Sequence, residues 1–274
     1  DSKSGDYKPK ELTVQFVPSQ NADKLEAKAK PLEKLLSKEL DMPVKVSVST
    51  NYNTIVEAMK SKKVDVGFLP PTAYTLAHDQ EAADLLLQAQ RYGVNKDGSP
   101  NKQLVDDYKS EILVKKDSDI KSLKDLKGKK IALQDVTSTA GYTFPLATLK
   151  EEAGINATKD MKIVNVKGHD QAIISLLNGD VDAAAVFNDA RNIVKKDQPD
   201  VFKDTKILKL TDAIPNDTIS VRPDMDKKFQ DKLKKAFKDI SKTKEGHKII
   251  KEVYSHEGYT DTDDSKFDVV RENE

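Results

Sequence analysis

Apolar and polar positions follow two different periods along the chain, and the two periods alternate. Leu12 to Val17 is an apolar-rich run typical of a buried strand, whereas residues 22–40 place leucines and alanines near helical spacing. Val44 to Ser49 then alternates apolar with polar residues, as a strand does. Repeated alternation of strand and helix patterns predicts a parallel sheet covered by helices.

The same order of patterns continues through the chain and occurs twice. The further predicted elements are a helix through Ile55, Val56 and Met59, strand Val64–Leu69, a helix near Ala73–His78 after the Pro70-Pro71 break, strands near Leu85–Tyr92 and Glu111–Val114, strand Ile131–Gln134, a helix to Glu152, strand Lys162–Val166, helix Gln171–Leu177, strand Val181–Phe187, helix Asp189–Lys195 and strand Lys206–Leu210. A charged linker at 115–130 separates the two series, so the pattern predicts two α/β lobes. The mostly helical chain after Asp224 is expected to pack on the first lobe.

An internal similarity supports the two-lobe prediction. Tyr52–Thr72 (YNTIVEAMKSKKVDVGFLPPT) aligns without gaps with His169–Asp189 (HDQAIISLLNGDVDAAAVFND), at a constant offset of 117 positions. Loops beyond the carboxyl ends of strands line the ligand crevice of an open α/β sheet. We therefore expect Tyr52 with His169, and Thr72 with Asp189, to face one cleft. The alternative is that any two strand–helix–strand segments share such a pattern.

Composition excludes several classes of function. Lysine plus arginine equals aspartate plus glutamate at 46 each, so the formal net charge is zero, which argues against a nucleic-acid partner. The absence of cysteine excludes disulfides, thiolate nucleophiles and cysteine-ligated metals. His78, His247 and His256 are scattered without metal-ligand spacing, so no metal site is predicted. No apolar run approaches the roughly 20 residues that span a bilayer.

A run of hydroxyl and small residues between a strand and a helix is the main candidate for chemistry. Residues 134–141 read QDVTSTAG, and a helix start with Ser/Thr hydroxyls and N–H donors favours an oxyanion. The alternative is an ordinary Ser/Thr helix cap. Pro145 predicts a kink or a later helix start. Neither a P-loop nor GxGxxG is present, and no nucleophile–base motif is recognisable, so we expect neither an enzyme nor a cofactor.

Three further polar residues follow predicted strands. His169 comes directly after Gly168 in a strand-end loop, where it can donate to an anion or exchange a proton with it. Asp189 follows the strand VDAAAVF, and Asp217 lies in IPNDT. Each of the three is otherwise an ordinary surface residue or cap. Aspartates in an anion cleft require a ligand ammonium group or a protonated oxyanion as their partner.

Several motifs together resemble the phosphate/phosphite/phosphonate-binding proteins of ABC transporters. The segments that resemble this family are, in order, FVPSQNADKLEAKAKPLEKLL, STNYNTIVEAMKSKKVDVGFLPPTAY, QDVTSTAGYTFP, KGHDQAIISLLNGDVDAAAVFND and IPND. The likeness covers nearly the whole chain. It implies a type II periplasmic-binding-protein fold, in which two α/β lobes are joined by a two-strand hinge.

The resemblance also implies a set of ligand-binding residues. It places the phosphonate group on the Ser/Thr loop and adds a histidine, two tyrosines and two acids. The implied ligand-binding residues are Tyr52, Tyr108, Thr137, Ser138, Thr139, His169, Asp189 and Asp217. In some members of the family the acids hold the amino group of aminoethylphosphonate, so an aminoalkylphosphonate is one candidate ligand. Asn188 is the alternative to Asp189 as the pocket residue.

The family's biology implies the remaining expectations. Lobe 1 is expected at residues 8–114 plus 217–274 and lobe 2 at 115–216, with 1–7 as a disordered tail. The chain is expected to be a monomeric extracytoplasmic receptor that closes on a phosphonate and delivers it to an ABC permease. Phosphite, phosphate or another small molecule is the alternative cargo, and a two-lobed transferase is the alternative class. In Gram-positive bacteria such receptors are lipoproteins; the anchor cysteine is not in this sequence.

Overall fold

A computed structural model describes residues 5–274 as alternating strands and helices. The strands are β1 (Leu12–Phe16), β2 (Val44–Val48), β3 (Val66–Leu69), β4 (Asp84–Val94), β5 (Pro100–Val105), β6 (Asp107–Tyr108), β7 (Ser110–Lys115), β8 (Lys130–Leu133), β9 (Lys162–Asn165), β10 (Ala183–Phe187), β11 (Thr205–Leu210), β12 (Ile214–Pro215), β13 (Thr218–Val221) and β14 (Gly258–Thr260). The α-helices are α1 (Ala22–Ala29), α2 (Leu32–Leu40), α3 (Tyr52–Lys60), α4 (Pro71–Asp79), α5 (Phe144–Ala153), α6 (Ala157–Asp160), α7 (His169–Leu177), α8 (Arg191–Val194), α9 (Val201–Asp204), α10 (Lys227–Ser241), α11 (Lys244–Tyr254) and α12 (Asp268–Glu272). A π-helical turn at Thr139–Thr143 and two 3₁₀ turns at Leu123–Leu126 and Asp264–Phe267 complete the list.

Most of the predicted elements are confirmed to within a few residues. The helix predicted over 22–40 is instead two helices, α1 and α2, which meet at Lys30 and Pro31. Pro31 has no N–H to bond back to the preceding turn, so the chain starts a second helix there. The strand β5 was not predicted, because residues 100–105 are largely exposed and have no apolar face.

The first compact unit contains the described chain from Gly5 to Gly93, Lys102–Asp107 and Pro215–Arg271. Its sheet has the strand order β14-β4-β13-β3-β1-β2, with β5 paired to β4. β1 pairs in parallel with β2 and β3, and β13 and β14 enter antiparallel. The tail helices α10 and α11 bury residues such as Phe237 and Ile250 in the core of this sheet. The tail therefore packs on the first unit, as the sequence predicts.

The second unit contains Val94–Asn101, Tyr108–Ile214 and Glu272–Glu274. Its five strands have the order β11-β7-β10-β8-β9. β8 pairs in parallel with β9 and β10, while β7 is antiparallel to β10 and β11. Separate apolar clusters, one including Leu149 and the other Ile173, complete the core of this unit.

The limits of the units differ from the predicted lobe boundaries at the N-terminus, at Val94–Asn101 and from Tyr108 through β7, since the last two segments belong to the second unit. β7 was placed in lobe 1, yet it hydrogen-bonds to β10 and β11 and so belongs to the second unit. Of the tail predicted to be disordered, residues 1–4 lie outside the described part of the chain. Gly5 and Tyr7 form β-bridges to Asp226 and Met225, so this part of the prediction is wrong.

The internal similarity corresponds to equivalent structure. α3 and α7 begin at Tyr52 and His169 and end at Lys60 and Leu177, so both ends keep the offset of 117. The helix α3 leads into β3, which pairs in parallel with β1. In the same way α7 leads into β10, which pairs in parallel with β8. No helix in residues 5–274 is both long and apolar enough to cross a membrane.

Candidate functional site

The hydroxyl loop, defined as residues Thr137–Thr139, lies between β8 and the helical turn that leads into α5. All three residues are buried: Thr137 is 3% exposed, Ser138 2% and Thr139 1%. Such burial is unusual for threonine and serine at a strand end, because unpaired hydroxyls in a buried position are costly. The loop follows a parallel strand at its carboxyl end, which is where α/β proteins bind ligands.

The loop is shaped by bonds to its own neighbours. The Asp135 carboxylate accepts from the Thr137 N–H at 3.0 Å and from the Thr137 hydroxyl at 2.8 Å. Ser138 Oγ accepts from the Gly141 N–H at 3.2 Å, which leaves the serine proton able to donate elsewhere. Expected as open donors, the Thr137 and Ser138 N–H groups are instead bonded to Asp135.

The helix after the loop starts later than its sequence pattern alone suggests. The π-turn at Thr139–Thr143 comes first, and α5 begins at Phe144 with Pro145 in its first turn. Proline is tolerated at this position because the first N–H groups of a helix have no intrahelical partner. The later start predicted from Pro145 is confirmed. The turn directs its N-terminal, positive end toward the hydroxyl loop.

His169 is the first residue of α7 rather than part of a loop, and its ring orientation is fixed. Its Nδ1 lies 2.9 Å from Gln134 Nε2 and accepts from the Phe187 N–H at 3.3 Å. A backbone amide can only donate, so Nδ1 is the unprotonated nitrogen and the ring proton is on Nε2. His169 is therefore a neutral hydrogen-bond donor through Nε2, which suits an oxyanion.

Gln134 connects the histidine to the hydroxyl loop. Its side chain meets His169, and its backbone N–H donates to Gly141 at 3.0 Å. A Cβ at Gly141 would lie 2.5 Å from Gln134 Nε2 and 2.7 Å from Ser138 Oγ, so only glycine permits this approach. The structure thus brings Thr137, Ser138, Thr139 and His169 into one buried polar region of the second unit. Gln134 was not predicted as a site residue, because a glutamine at a strand end has no distinguishing sequence signal.

The two predicted tyrosines occupy defined, buried positions. Tyr52 is the first residue of α3 in the first unit, after Asn51, whose side chain caps the helix by accepting from the Thr54 N–H at 2.8 Å. Tyr108 lies in β6 and is 8% exposed. Both phenols are therefore held by regular structure rather than by exposed loops.

Asp189 is engaged by an arginine two residues further along the chain. The Asp189 carboxylate accepts from Arg191 Nη2 at 2.6 Å and from Arg191 Nε at 2.9 Å, and its side chain is 0% exposed. The Arg191 guanidinium also packs over the ring of Phe202, with its carbon 4.3 Å from the centroid. The alternative pocket residue, Asn188, donates to Glu111 Oε1 at 2.6 Å. Both sequence candidates thus have protein partners.

Asp217 is engaged in the same manner in the first unit. Its Oδ2 accepts from Arg91 Nη2 at 3.0 Å and lies 2.9 Å from His256 Nε2. Burial lowers the pKa of His256, with Asp217 as the main opposing influence. The neutral ring donates to Asp217 through Nε2, and Tyr259 donates to Nδ1 at 3.0 Å. Sequence reasoning missed Arg91, Arg191 and His256, because ion pairs across a fold have no sequence spacing.

The described residues contain no group of three or more histidine, cysteine or acidic side chains arranged to hold a metal ion. The polar region of the second unit instead consists of hydroxyls and a neutral histidine. Such donors recognise oxyanions rather than metals.

Comparison with known proteins identifies the family. The model of the family "ABC transporter, phosphonate, periplasmic substrate-binding protein" matches residues 14–267. A phosphate-import protein PhnD of Mycolicibacterium smegmatis is 30% identical over 84% of this chain and 71% of its own. A phosphonates-binding periplasmic protein of Escherichia coli is 26% identical over 88% of this chain and 69% of its own.

Solved structures agree with this in fold. PhnD1 from Prochlorococcus marinus, solved in complex with methylphosphonate, superposes with a TM-score of 0.81 at 22% identity over 97% of both chains. A binding protein of an ABC phosphonate transporter from Pseudomonas aeruginosa gives a TM-score of 0.79 at 21% identity, over 96% of this chain and 85% of its own. The predicted periplasmic-binding-protein fold is confirmed, as is the expectation that the chain is not an enzyme. The chain belongs to the family of phosphonate-binding periplasmic substrate-binding proteins of ABC transporters.

Proposed function

We propose that this chain captures a phosphonate through Thr137, Ser138, Thr139 and His169 and delivers it to an ABC permease. The observation that supports this most directly is the burial of three hydroxyl residues at a helix start, beside a histidine held as an Nε2–H donor. A tetrahedral oxyanion can accept hydrogen bonds from hydroxyl and imidazole N–H donors of this kind, and the positive end of the helix favours its charge. Tyr52 and Tyr108 complete the proposed set on the strength of the family resemblance.

Titration calorimetry of the chain with methylphosphonate, phosphite, phosphate and sulfate tests the proposal. We expect heat from at least one phosphorus oxyanion and none from sulfate. No heat with any phosphorus oxyanion would remove the proposal. Phosphate is the second candidate cargo, because the relative that is 30% identical is named a phosphate-import protein.

A pair of matched variants tests the hydroxyl loop itself. Ser138→Ala with Thr139→Ala should weaken anion binding strongly, because each buried bond to a charged group contributes roughly 1.5–3 kcal/mol. Asn21→Ala is the control, since Asn21 is the cap equivalent to Ser138 in the first unit and accepts from the Lys24 N–H at 3.1 Å. It should reduce stability slightly and leave affinity unchanged. Equal affinity in the double variant and the wild type would show that the loop is only a cap.

The cellular setting is also a proposal. We expect a monomer, tethered by lipid to the outer face of the membrane, that closes around its ligand. The support is the family to which the chain belongs. Light scattering tests the monomer, membrane fractionation of the native host tests the tether, and small-angle scattering with and without methylphosphonate tests closure.

A further inference from the structure

The two acids that the sequence offers as ammonium ligands, Asp189 and Asp217, each have an arginine partner of their own. We propose that the ligand is a phosphorus oxyanion whose organic group bears no positive charge, because Arg191 and Arg91 already neutralise these carboxylates. This inference rests on the proposed function and narrows it to a class of cargo. It excludes aminoalkylphosphonates, which the family resemblance had left as a candidate.

The Asp189 carboxylate has no face left for a ligand ammonium. Its Oδ1 accepts from the backbone N–H of Arg191 at 3.0 Å. Arg191 Nε also donates to Oδ1 at 3.0 Å and to Oδ2 at 2.9 Å. The backbone of Gly98 covers the other side, since a Cβ there would lie 2.5 Å from Asp189 Oδ2. Arg191 is itself anchored to Thr205 through Nη1, so it cannot leave without breaking further bonds.

A second acid nearby, Glu111, is also buried among protein groups. Glu111 is 0% exposed and lies 3.8 Å from Arg191 Nε. Burial and the neighbouring Asp189 charge raise the pKa of Glu111 well above its usual range, and Asn188 Nδ2 donates to Glu111 Oε1 at 2.6 Å. Glu111 is therefore enclosed by protein groups and presents no exposed carboxylate to a ligand ammonium.

The cluster around Asp217 is balanced in the same way. Asp217 is paired with Arg91, whose Nε also donates to Asn216 Oδ1 at 3.0 Å, so the guanidinium is held in place. His256 contributes a neutral donor, because burial lowers its pKa. The side chains of Arg91 and Asp217 are 8% and 14% exposed.

An ammonium group needs more than a nearby acid when it leaves water. Its loss of hydration is recovered only by an opposite charge that is not already compensated. Neither cluster provides one. An alkyl or hydrogen substituent on phosphorus avoids this cost, and the oxyanion end retains its donors in the hydroxyl loop.

Calorimetry with two isosteric ligand pairs tests the inference. Ethylphosphonate is compared with aminomethylphosphonate, and n-propylphosphonate with 2-aminoethylphosphonate, so that a methyl group replaces the ammonium in each pair. We expect the alkyl member to bind at least about tenfold more tightly, a clear difference in dissociation constant. Methylphosphonate and phosphite are titrated alongside. Binding of these two but of no amine also supports the inference.

The inference of an uncharged organic group would be overturned if either amine bound more tightly than its alkyl partner. If no phosphorus ligand binds at all, the proposed function fails as well, and this outcome differs from a preference for amines. Arg91→Met provides a second measurement, because it leaves Asp217 without its guanidinium. The ratio of amine to alkyl affinity should rise about tenfold in that variant.

Arg271→Met is the matched control for Arg91→Met. Arg271 pairs with Asp264 and Asp79 in the same unit, away from Asp217 in the chain and in its contacts. Its loss should leave the ratio unchanged. An unchanged ratio in a folded Arg91→Met variant would contradict the role assigned to Arg91; if that variant does not fold, the wild-type ligand pairs decide alone.

Discussion

The first strand–helix–strand segments of the two units share a hydrogen-bonding frame that extends beyond their sequence similarity. Asp65 accepts from the backbone N–H of Thr13 at 2.9 Å, and Asp182 accepts from that of Lys130, also at 2.9 Å. Asn21 and Ser138 each cap a helical turn by accepting from the N–H three residues later. All of these pairs keep the offset of 117 positions.

The two frames differ at a few side chains, among them residues of the proposed binding site. Where the first unit has buried Val17 and Tyr52, the second has Gln134 and His169. Asn21 is exposed, whereas its equivalent Ser138 is 2% exposed. The two units thus share a backbone frame, while polar residues at a few equivalent positions of the second unit include the proposed oxyanion donors.

Equivalent aspartates offer the sharpest test of the comparison. Asp65→Asn should cost about 2 kcal/mol, because the buried carboxylate accepts hydrogen bonds from Tyr7 and Thr13. It is also the second carboxylate beside buried Arg222, at 3.6 Å. Asp182→Asn should cost about 0.5 kcal/mol, because Asp182 is exposed and the amide oxygen still accepts a hydrogen bond. Urea unfolding followed by circular dichroism measures both. Equal costs would mean that the buried environment of Asp65 contributes nothing.

Tyr7 adds a pH dependence to the first unit. Its hydroxyl donates to Asp65 at 2.7 Å, and burial with this bond raises the pKa of Tyr7 from 10.0 to about 12. The folded state holds the phenol proton better than the unfolded one, so this stabilisation is complete below pH 10 and disappears as pH rises through about 12.

Tyr7→Phe should therefore reduce the free energy of unfolding by about 1.5 kcal/mol at pH 8. The variant should also lose less stability than the wild type between pH 10 and 12. Urea midpoints of the wild type and the variant are compared across this range. The contributions of the other tyrosines to the pH dependence cancel in the difference between the two proteins. Parallel curves would contradict the assignment of the shift to Tyr7.

Gln134→Met tests the polar substitution in the second unit. Removing one donor from His169 Nδ1 should increase the Nδ1–H form of the ring and weaken oxyanion binding by about 1 kcal/mol. Nitrogen NMR of His169 measures the first effect without ligand, and calorimetry measures the second. Gln15→Met, in β1, is the control, since Gln15 bonds only within the first unit, to Ser47. An unaltered ring spectrum in Gln134→Met would show that Gln134 does not position His169.

The elements of the fold were largely accessible from sequence because their causes are local. Helical spacing of apolar residues predicts α10 and α11, and Pro145 predicts the late start of α5. β5 was not accessible, since its residues are exposed and only pairing with β4 makes them a strand. The place of β7 was missed for the same reason, because pairing between distant strands determines it.

In the candidate site, too, features with local causes could be predicted from the sequence, and contacts between distant residues could not. The hydroxyl loop and His169 follow predicted strands, so the sequence indicates their position. The partners of Asp189 and Asp217 come from elsewhere in the fold: Arg91 is remote in sequence from Asp217, and the proximity of Arg191 to Asp189 does not by itself predict a bidentate pair. An acid that binds a ligand and an acid that binds an arginine have the same sequence appearance.

The close approach at Gly141 also has a genetic consequence. Every glycine codon becomes an alanine codon by one base change, and the added methyl group would meet Gln134 Nε2 and Ser138 Oγ at 2.5 and 2.7 Å. The clash is confined to the loop, whereas the core clusters of both units lie elsewhere. If the hydroxyl loop binds the phosphonate as proposed, a population exposed to a toxic phosphonate could lose uptake through this codon while keeping a folded receptor, and could regain uptake by reversion.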